Sequence, residues 1–194
     1  MVGPGNAFEG RHGLFDNITG PFDLAPFPSE GGDFTLDKIL FKYWPLETNG
    51  QPAVWAAMEL RDKLAPGDID KIKSIKIFCD ELTRVEIGGE PEKWDPQTRE
   101  TADHSLPYIF ARTLVDGTIS IASFEEDRVQ DPSLRPLLNK ISVNVDPAIE
   151  ALLPDMKLVI SVTMQDGTVL EVANTNPPGH PANPMTDEDT ANKL

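Results

Sequence analysis

Apolar residues recur at helical spacing in two long stretches of the chain. The first begins at Gln51-Pro52, where proline suits the opening turn of a helix, and continues to about Leu64, before Pro66-Gly67. Its apolar residues surround most of the circumference, so we expect a largely buried helix. The second stretch follows Pro107 and stops at Asp116-Gly117, because glycine adopts the left-handed conformation that ends many helices. The pattern therefore predicts two buried helices.

Alternation of apolar and polar residues predicts strands elsewhere. Ile141–Val145 alternates cleanly, and alternation within residues 69–85 indicates one strand or a bent pair of strands. Residues 158–164 and 168–172 flank Gln165-Asp166-Gly167, and Asp-Gly favours a tight hairpin because it tolerates positive φ. Helices and strands come in mixed order, without regular strand–helix alternation. This favours an α+β fold with a mainly antiparallel sheet packed with helices.

Weaker signals predict short helices and a connector. Asp131 caps a helix over residues 132–141, which Pro136 must shorten or tilt. Thr186, with an acidic residue three positions later, begins a last helix through a capping box. Residues 1–33 are rich in glycine and proline and contain scattered phenylalanines, with one short helical stretch at residues 9–19. We expect residues 1–33 to form a connector that packs on another surface, and residues 34–194 to form one domain.

The charge, the hydropathy and the cysteine content of the chain each argue against one class of protein or site. The net charge is −15, with 32 acidic and 17 basic residues, which argues against a nucleic-acid partner. The negative charge also repels polycarboxylates, so a site that binds a polycarboxylate must be a local basic pocket, completed by another domain.

No apolar run is long enough to cross a membrane and no export signal is visible. The single cysteine, Cys79, excludes an internal disulfide, and we expect a cytoplasmic protein.

The densest group of titratable residues precedes the second buried helix. Asp95-Pro96 indicates a helix start there. The residues that follow are Arg99, Glu100, Asp103, His104 and Tyr108. A polar loop leading into a buried helix can hold reactive side chains rigidly, although an ordinary capped core helix has the same pattern. Three dispersed histidines and one cysteine do not make a zinc or iron–sulfur set, so we expect no metal or other cofactor.

Several motifs together resemble the C-terminal domain of the MmgE/PrpD family, the 2-methylcitrate dehydratase family. That family includes cis-aconitate decarboxylase and iminodisuccinate epimerase. The motifs are FKYWP at 41–45, DHSLPY at 103–108, GHP at 179–181 and NPM at 183–185, and the resemblance extends from residue 7 to residue 194. It implies that the chain is the smaller domain of a two-domain, homodimeric enzyme, without the helical N-terminal domain and the terminal helices. It also implies dehydration of a tricarboxylate such as 2-methylcitrate to 2-methylaconitate, in propionate catabolism.

The resemblance implies roles for three residues. Lys42 aligns with a lysine that lines the active-site cleft, where it would bind a carboxylate or transfer a proton. Tyr108 aligns with a cleft-facing tyrosine that can donate to a developing enolate. We therefore expect both side chains to open on one concave surface. Glu47 stands where decarboxylase members have a histidine, in a Pro-Leu-Glu context similar to the Pro-Ala-Glu of the dehydratases. This favours dehydration over decarboxylation.

Residue chemistry leaves alternatives open at each of these positions. Lys42 can instead be a solvated lysine, and Tyr108 a core tyrosine. Glu47 can be a general base or an exposed loop acid. His104 can shuttle protons or fix the loop, with Asp103 as its partner or as a helix cap. Arg112, one turn after Tyr108, can bind a substrate carboxylate or form a structural ion pair.

Two functional hypotheses follow. The chain is part of a lyase whose catalytic histidines lie mostly in a helical domain, or it is a non-catalytic remnant or subunit that docks on such a domain. Within the first hypothesis, decarboxylase and epimerase activities are the alternatives to dehydration.

Overall fold

The computed structural model describes residues 6–11, 13–23 and 35–193. The chain divides into two compact units, residues 1–38 and residues 39–194. In the described part of the first unit, Phe15–Thr19 forms a π-helix and Thr35–Lys38 a 3-10 helix. A short helix was predicted over residues 9–19, and among the described residues of that stretch only 15–19 are helical. The connector predicted over residues 1–33 lies partly outside the described residues and stays a prediction.

The second unit contains, within its described residues, eight α-helices and four strands. In chain order they are α1 Gln51–Lys63, β1 Ile72–Cys79, α2 Glu81–Ile87, α3 Arg99–Asp103, α4 Leu106–Asp116, α5 Glu126–Val129, α6 Arg135–Leu138, β2 Ile141–Val145, α7 Pro147–Glu150, β3 Lys157–Met164, β4 Val169–Thr175 and α8 Asp187–Lys193. Short 3-10 helices cover Thr48–Gly50, Ile69–Lys71, Pro91–Trp94, Ile121–Phe124 and Pro132–Leu134. No helix in the described residues is long and apolar enough to cross a bilayer.

The four strands form one sheet in the order β2-β1-β3-β4. The pairs β1–β3 and β3–β4 are antiparallel, whereas β1–β2 is parallel, with Ile77 opposite Val143. The predicted hairpin is the β3–β4 pair, and Gly167 in its turn has φ +91°. The α+β class is therefore confirmed, and the sheet is mixed, with one parallel pair beside two antiparallel ones.

One face of the sheet packs against α1, which in turn packs against α4. Ile75 and Ile77 of β1 and Ile160 of β3 are completely buried in this core. Arg61 near the end of α1 donates from Nη1 to the carbonyl of Leu114, 2.5 Å away, and so joins the C-terminal parts of the two helices. The two buried helices predicted from the sequence are confirmed, and α4 ends at Gly117 with φ +82°.

Three boundaries differ from the prediction, two of them because a side-chain cap outweighs the sequence pattern. Residues 81–85, the end of the predicted strand region, belong to helix α2, since the Asp80 carboxylate accepts a hydrogen bond from the Thr83 N–H at 2.8 Å. Asp95-Pro96 does not start a helix; Thr98 caps α3 instead. The helix predicted after Asp131 is divided into a 3-10 helix and the short α6, and Ile141 begins β2.

Candidate active site

A cavity of about 870 Å³ opens in the second unit. Four segments line it: residues 42–47 before α1, residues 103–104 at the end of α3, residues 118–122 after α4, and residues 192–193 of α8. Its ionisable side chains are Lys42, Tyr43, Glu47, Asp103, His104 and Lys193. The cavity therefore unites the DHSLPY and FKYWP motifs, although they are far apart in the sequence.

Gln51, at the start of α1, fixes the backbone beside Lys42. Its side chain is 1% exposed, and its Oε1 accepts hydrogen bonds from the backbone N–H groups of Tyr43 at 3.1 Å and Trp44 at 2.9 Å. Its Nε2 donates to the Trp44 carbonyl at 2.9 Å. At the far end of the segment, the Glu47 N–H donates to the Asp103 carbonyl at 3.0 Å. The Lys42–Glu47 wall is thus attached to both α1 and α3.

A tight loop near the C-terminus supports the same wall from the other side. The Phe41 N–H donates to the Gly179 carbonyl at 2.9 Å, and Gly179 has φ +99°. A Cβ at position 179 would lie 2.0 Å from the Phe41 carbonyl oxygen, so only glycine allows this approach. In the same loop, Nδ1 of His180 accepts from the Ala182 N–H at 3.1 Å. His180 therefore serves to shape the loop.

His104 is an exposed titratable group of the cavity. Its side chain is 51% exposed, and its Nδ1 lies 2.5 Å from the Asp103 carboxylate. Of the two alternatives for Asp103, the structure shows the histidine partner, because Ser105 is the residue that caps α4. Nε2 makes no hydrogen bond to the described part of the chain. The other ring nitrogen, Nε2, is thus open to a ligand.

Glu47 and Lys42 are differently constrained. The Glu47 carboxylate accepts from the Asn49 N–H at 2.6 Å and caps the 3-10 helix Thr48–Gly50 while it lines the cavity. Lys42 is exposed, and its ammonium has no acidic partner among the described residues. Lys42 is thus available to an anion, and Glu47 is partly occupied by its cap.

Tyr108 does not open into the cavity, contrary to the expectation that it shares a concave surface with Lys42. Its side chain is 0% exposed, and its hydroxyl donates to the Ser123 carbonyl at 2.6 Å. Burial raises the pKa of this phenol, despite the nearby cations of Arg112 and Arg128. The physical reason is that the first turn of α4 directs the Tyr108 side chain towards Ser123, which follows the wall formed by residues 118–122. Tyr108 therefore supports the cavity wall from the interior.

Arg112 is likewise an interior residue. It is 1% exposed, its Nη2 lies 3.1 Å from the Asp131 carboxylate, and its Nη1 lies 3.5 Å from Asp116. Nη2 also donates to the Arg128 carbonyl at 3.0 Å. Of the alternatives left by the sequence, the structure shows the ion pair, and the guanidinium does not line the cavity. Arg112 therefore has no direct route to a substrate carboxylate in this structure.

Other chemistry is limited in the described part of the chain. No group of three or more His, Cys, Asp or Glu side chains there is arranged to hold a metal ion. Cys79 is completely buried in β1, and burial raises the pKa of its thiol to about 12. The thiol is thus not a nucleophile at neutral pH.

From the sequence, Gln51 was expected only to begin a helix, and Lys193 and residues 118–122 were not expected at the site. Gln51 could have been recognised from its position beside a proline at the start of a buried helix. A buried glutamine needs hydrogen-bond partners, so its side chain was bound to contact the neighbouring backbone or another polar group. Lys193 and the 118–122 wall lacked any local signal, because only the tertiary fold brings them to the cavity.

Comparison with known proteins agrees with the motifs. The MmgE/PrpD C-terminal domain profile matches residues 44–194. Human cis-aconitate decarboxylase is 32% identical over 193 residues, which cover 96% of this chain and 38% of that protein. The 2-methylcitrate dehydratase of Cupriavidus necator is 32% identical over 158 residues, covering 77% of this chain and 32% of that protein. The mitochondrial 2-methylcitrate dehydratase of Yarrowia lipolytica is 28% identical over 177 residues, covering 87% and 33%.

The chain therefore spans about a third of the length of these curated relatives. The profile match covers most of the second unit, including the His104–Asp103 pair and Lys193. The cavity, the α+β fold and these matches lead to one conclusion: the chain belongs to the MmgE/PrpD family and contains its C-terminal domain.

Proposed function

We propose that this chain is part of a hydro-lyase that acts on a tricarboxylate such as 2-methylcitrate, and that a helical domain or subunit completes its site. The carrying observation is that one cavity holds the unpaired ammonium of Lys42 and the His104–Asp103 pair. The family membership and the names of the two 2-methylcitrate dehydratases support the reaction class.

In the proposed reaction a base removes the proton next to a carboxylate, and the C–O bond to the neighbouring hydroxyl breaks. The hydroxide leaves as water after an acid donates a proton to it. Lys42 binds the carboxylate and stabilises the enolate-like charge that develops there. His104 exchanges a proton at Nε2, and Glu47 is the alternative acid or base of this cavity. Tyr108 and Arg112 act only by supporting the wall.

The charge in the cavity supports the need for a partner. Lys42 and Lys193 provide cations for two carboxylates, so the third carboxylate of a tricarboxylate needs a cation from a partner. The overall charge of −15 adds a repulsive field. A helical domain with further cations and the remaining acid or base would overcome both obstacles. We propose that the complete enzyme is cytoplasmic and homodimeric.

Reconstitution tests this proposal. The chain alone and the chain mixed with the helical portion of the Cupriavidus necator relative are assayed for loss of water from 2-methylcitrate, by the absorbance of the unsaturated product. We expect activity only in the complex, and Lys42→Ala to lower turnover by about 10²–10³-fold, the usual cost of removing one preorganised donor. Lys76→Ala, which removes an exposed lysine of β1 outside the cavity, is the control.

Three results contradict the proposal. They are enzyme-like dehydration by the isolated chain, a complex indifferent to Lys42→Ala, and a stable complex that turns over nothing. The last result favours the alternative that the chain is a non-catalytic subunit docking on a helical domain.

Decarboxylation is the second candidate, because human cis-aconitate decarboxylase matches almost the whole chain. The glutamate at position 47 favours dehydration. The two reactions differ in their products, so release of carbon dioxide from cis-aconitate by the same complex, without dehydration of methylcitrate, would select the decarboxylase. Epimerase activity would leave the mass of the substrate unchanged.

A further inference from the structure

The structure points to a second carboxylate-binding residue, Lys193, in the same cavity. We propose that Lys42 and Lys193 bind two different carboxylates of one polycarboxylate substrate. This inference rests on the proposed function and identifies a residue beyond those expected from the family motifs.

Lys193 is held directly beside the backbone of Lys42. It is the last residue of α8, it lines the cavity, and its Nζ donates to the Lys42 carbonyl at 2.5 Å. An ammonium has three N–H donors, so this contact leaves two for a ligand. Lys193 therefore combines a fixed position with spare donors.

The acids of the cavity form no ion pair with these lysines. The Asp103 carboxylate is paired with His104 at 2.5 Å, and the Glu47 carboxylate accepts from the Asn49 N–H at 2.6 Å. Within the described ranges, neither Lys42 nor Lys193 forms an ion pair. Two ammonium groups without acidic partners in one cavity of about 870 Å³ match a ligand with at least two carboxylates.

The helix that bears Lys193 is positioned by its own cap. The Thr186 hydroxyl accepts from the Asp189 N–H at 3.1 Å, and the Asp189 carboxylate accepts from the Thr186 N–H at 2.8 Å. Upstream, the Gly179 carbonyl is joined to the Phe41 N–H. The C-terminal segment thus contacts the Phe41–Lys42 backbone at two places, which holds the Lys193 ammonium next to the backbone of Lys42.

Binding to the full chain tests the inference. Propane-1,2,3-tricarboxylate, which has no hydroxyl to lose, and propionate are titrated into the protein and followed by amide chemical shifts. Lys193→Gln removes the charge but keeps a donor for the Lys42 carbonyl, Lys193→Arg keeps the charge, and Lys76→Gln is the control outside the cavity.

We expect Lys193→Gln to weaken tricarboxylate binding about tenfold, in line with a charge-assisted hydrogen bond, and to change propionate binding less. Lys193→Arg should restore most of the affinity, and Lys76→Gln should change nothing. The amide shifts of α8 report whether the helix stays in place in each variant.

The failures are distinguishable. If the chain binds the tricarboxylate and Lys42→Gln weakens it while Lys193→Gln does not, the inference about Lys193 is wrong and the carboxylate site at Lys42 stands. If the unsubstituted chain does not bind the tricarboxylate, or if Lys42→Gln has no effect, the proposed site itself is refuted together with the inference.

Discussion

At the scale of single residues, α4 shows how polar side chains can serve a site without entering it. Tyr108 and Arg112 lie one turn apart on α4 and both face the interior. Each is paired there, Tyr108 with the Ser123 carbonyl and Arg112 with two carboxylates. Buried polar groups of this kind stabilise a fold only while their partners remain. We therefore expect substitutions of Tyr108 and Arg112 to lower the free energy of unfolding first and to affect turnover only through it.

Tyr108→Phe tests that expectation. The substitution leaves the buried Ser123 carbonyl without its donor, so we expect a loss of about 1–2 kcal/mol in the free energy of unfolding. Urea denaturation followed by circular dichroism measures the loss. Tyr43→Phe is the matched control, because the hydroxyl of Tyr43 makes no hydrogen bond to the described residues. An unchanged stability together with a large fall in turnover of the reconstituted complex would restore Tyr108 as a catalytic residue.

At the scale of elements, the sequence predicted the helices and strands whose positions depend on apolar periodicity and turn residues. It identified α1, α4, β2 and the β3–β4 hairpin, since each has a long apolar pattern or a strong turn signal. It missed α2, because a capping aspartate at position 80 competes with the alternation of a strand. The parallel pairing of β1 with β2 depends on contacts between distant segments, and no local pattern contains them.

The candidate site was predicted to a similar extent. Lys42, Glu47 and His104, three candidates from the sequence, line one cavity, and their functional roles stay predictions. Tyr108 was expected to open on the cavity and does not, whereas Arg112 forms the ion pair that was one of its two alternatives. The direction of a helical side chain depends on what the helix packs against, and the sequence does not contain that information. Lys193 comes to the cavity only through the loop that Gly179 allows.

The loop around Gly179 leads to a testable prediction about stability. Gly179→Ala places a Cβ 2.0 Å from the Phe41 carbonyl oxygen at φ +99°. We expect a loss of about 2–4 kcal/mol, since a left-handed conformation costs about 1–2 kcal/mol and the clash adds to it. Urea denaturation measures the loss, and the amide shifts of residues 41–44 should move.

Gly67→Ala is the control for the backbone conformation alone. Gly67 has φ +85° and nothing within 4 Å of the added Cβ. Equal losses for the two variants would show that the contact with Phe41 contributes nothing.

At the scale of the whole molecule, acid weakens a buried ion pair while it relieves the net negative charge. The pKa of Asp131 is lowered to about 2, first by the hydroxyl and backbone N–H of Ser133 and then by Arg112. A carboxyl whose pKa is lower in the folded than in the unfolded state stabilises the protein above its unfolded pKa. That contribution is lost as the pH falls through the folded pKa.

Asp131→Asn should therefore destabilise the protein by about 1–2 kcal/mol at pH 7, because the buried Arg112 loses one of its carboxylates. The difference from the unsubstituted protein should shrink between about pH 4 and pH 2. Urea denaturation at pH 7, 4 and 2.5 measures it, with Glu171→Gln on β4 as an exposed control. A difference of the same size at pH 2.5 and pH 7 would show that the charge of Asp131 is not responsible.

The strand order β2-β1-β3-β4 also has a kinetic consequence. The hairpin of β3 and β4 needs only a tight turn, whereas the parallel pair of β1 and β2 must wait for residues 80–140 to bring its strands together. Closing a long loop before any pairing is gained slows folding. The chain segment inside that loop includes α3, α4 and two of the four cavity walls. We therefore expect the hairpin to form early and the cavity to be among the last parts of the molecule to acquire its native arrangement.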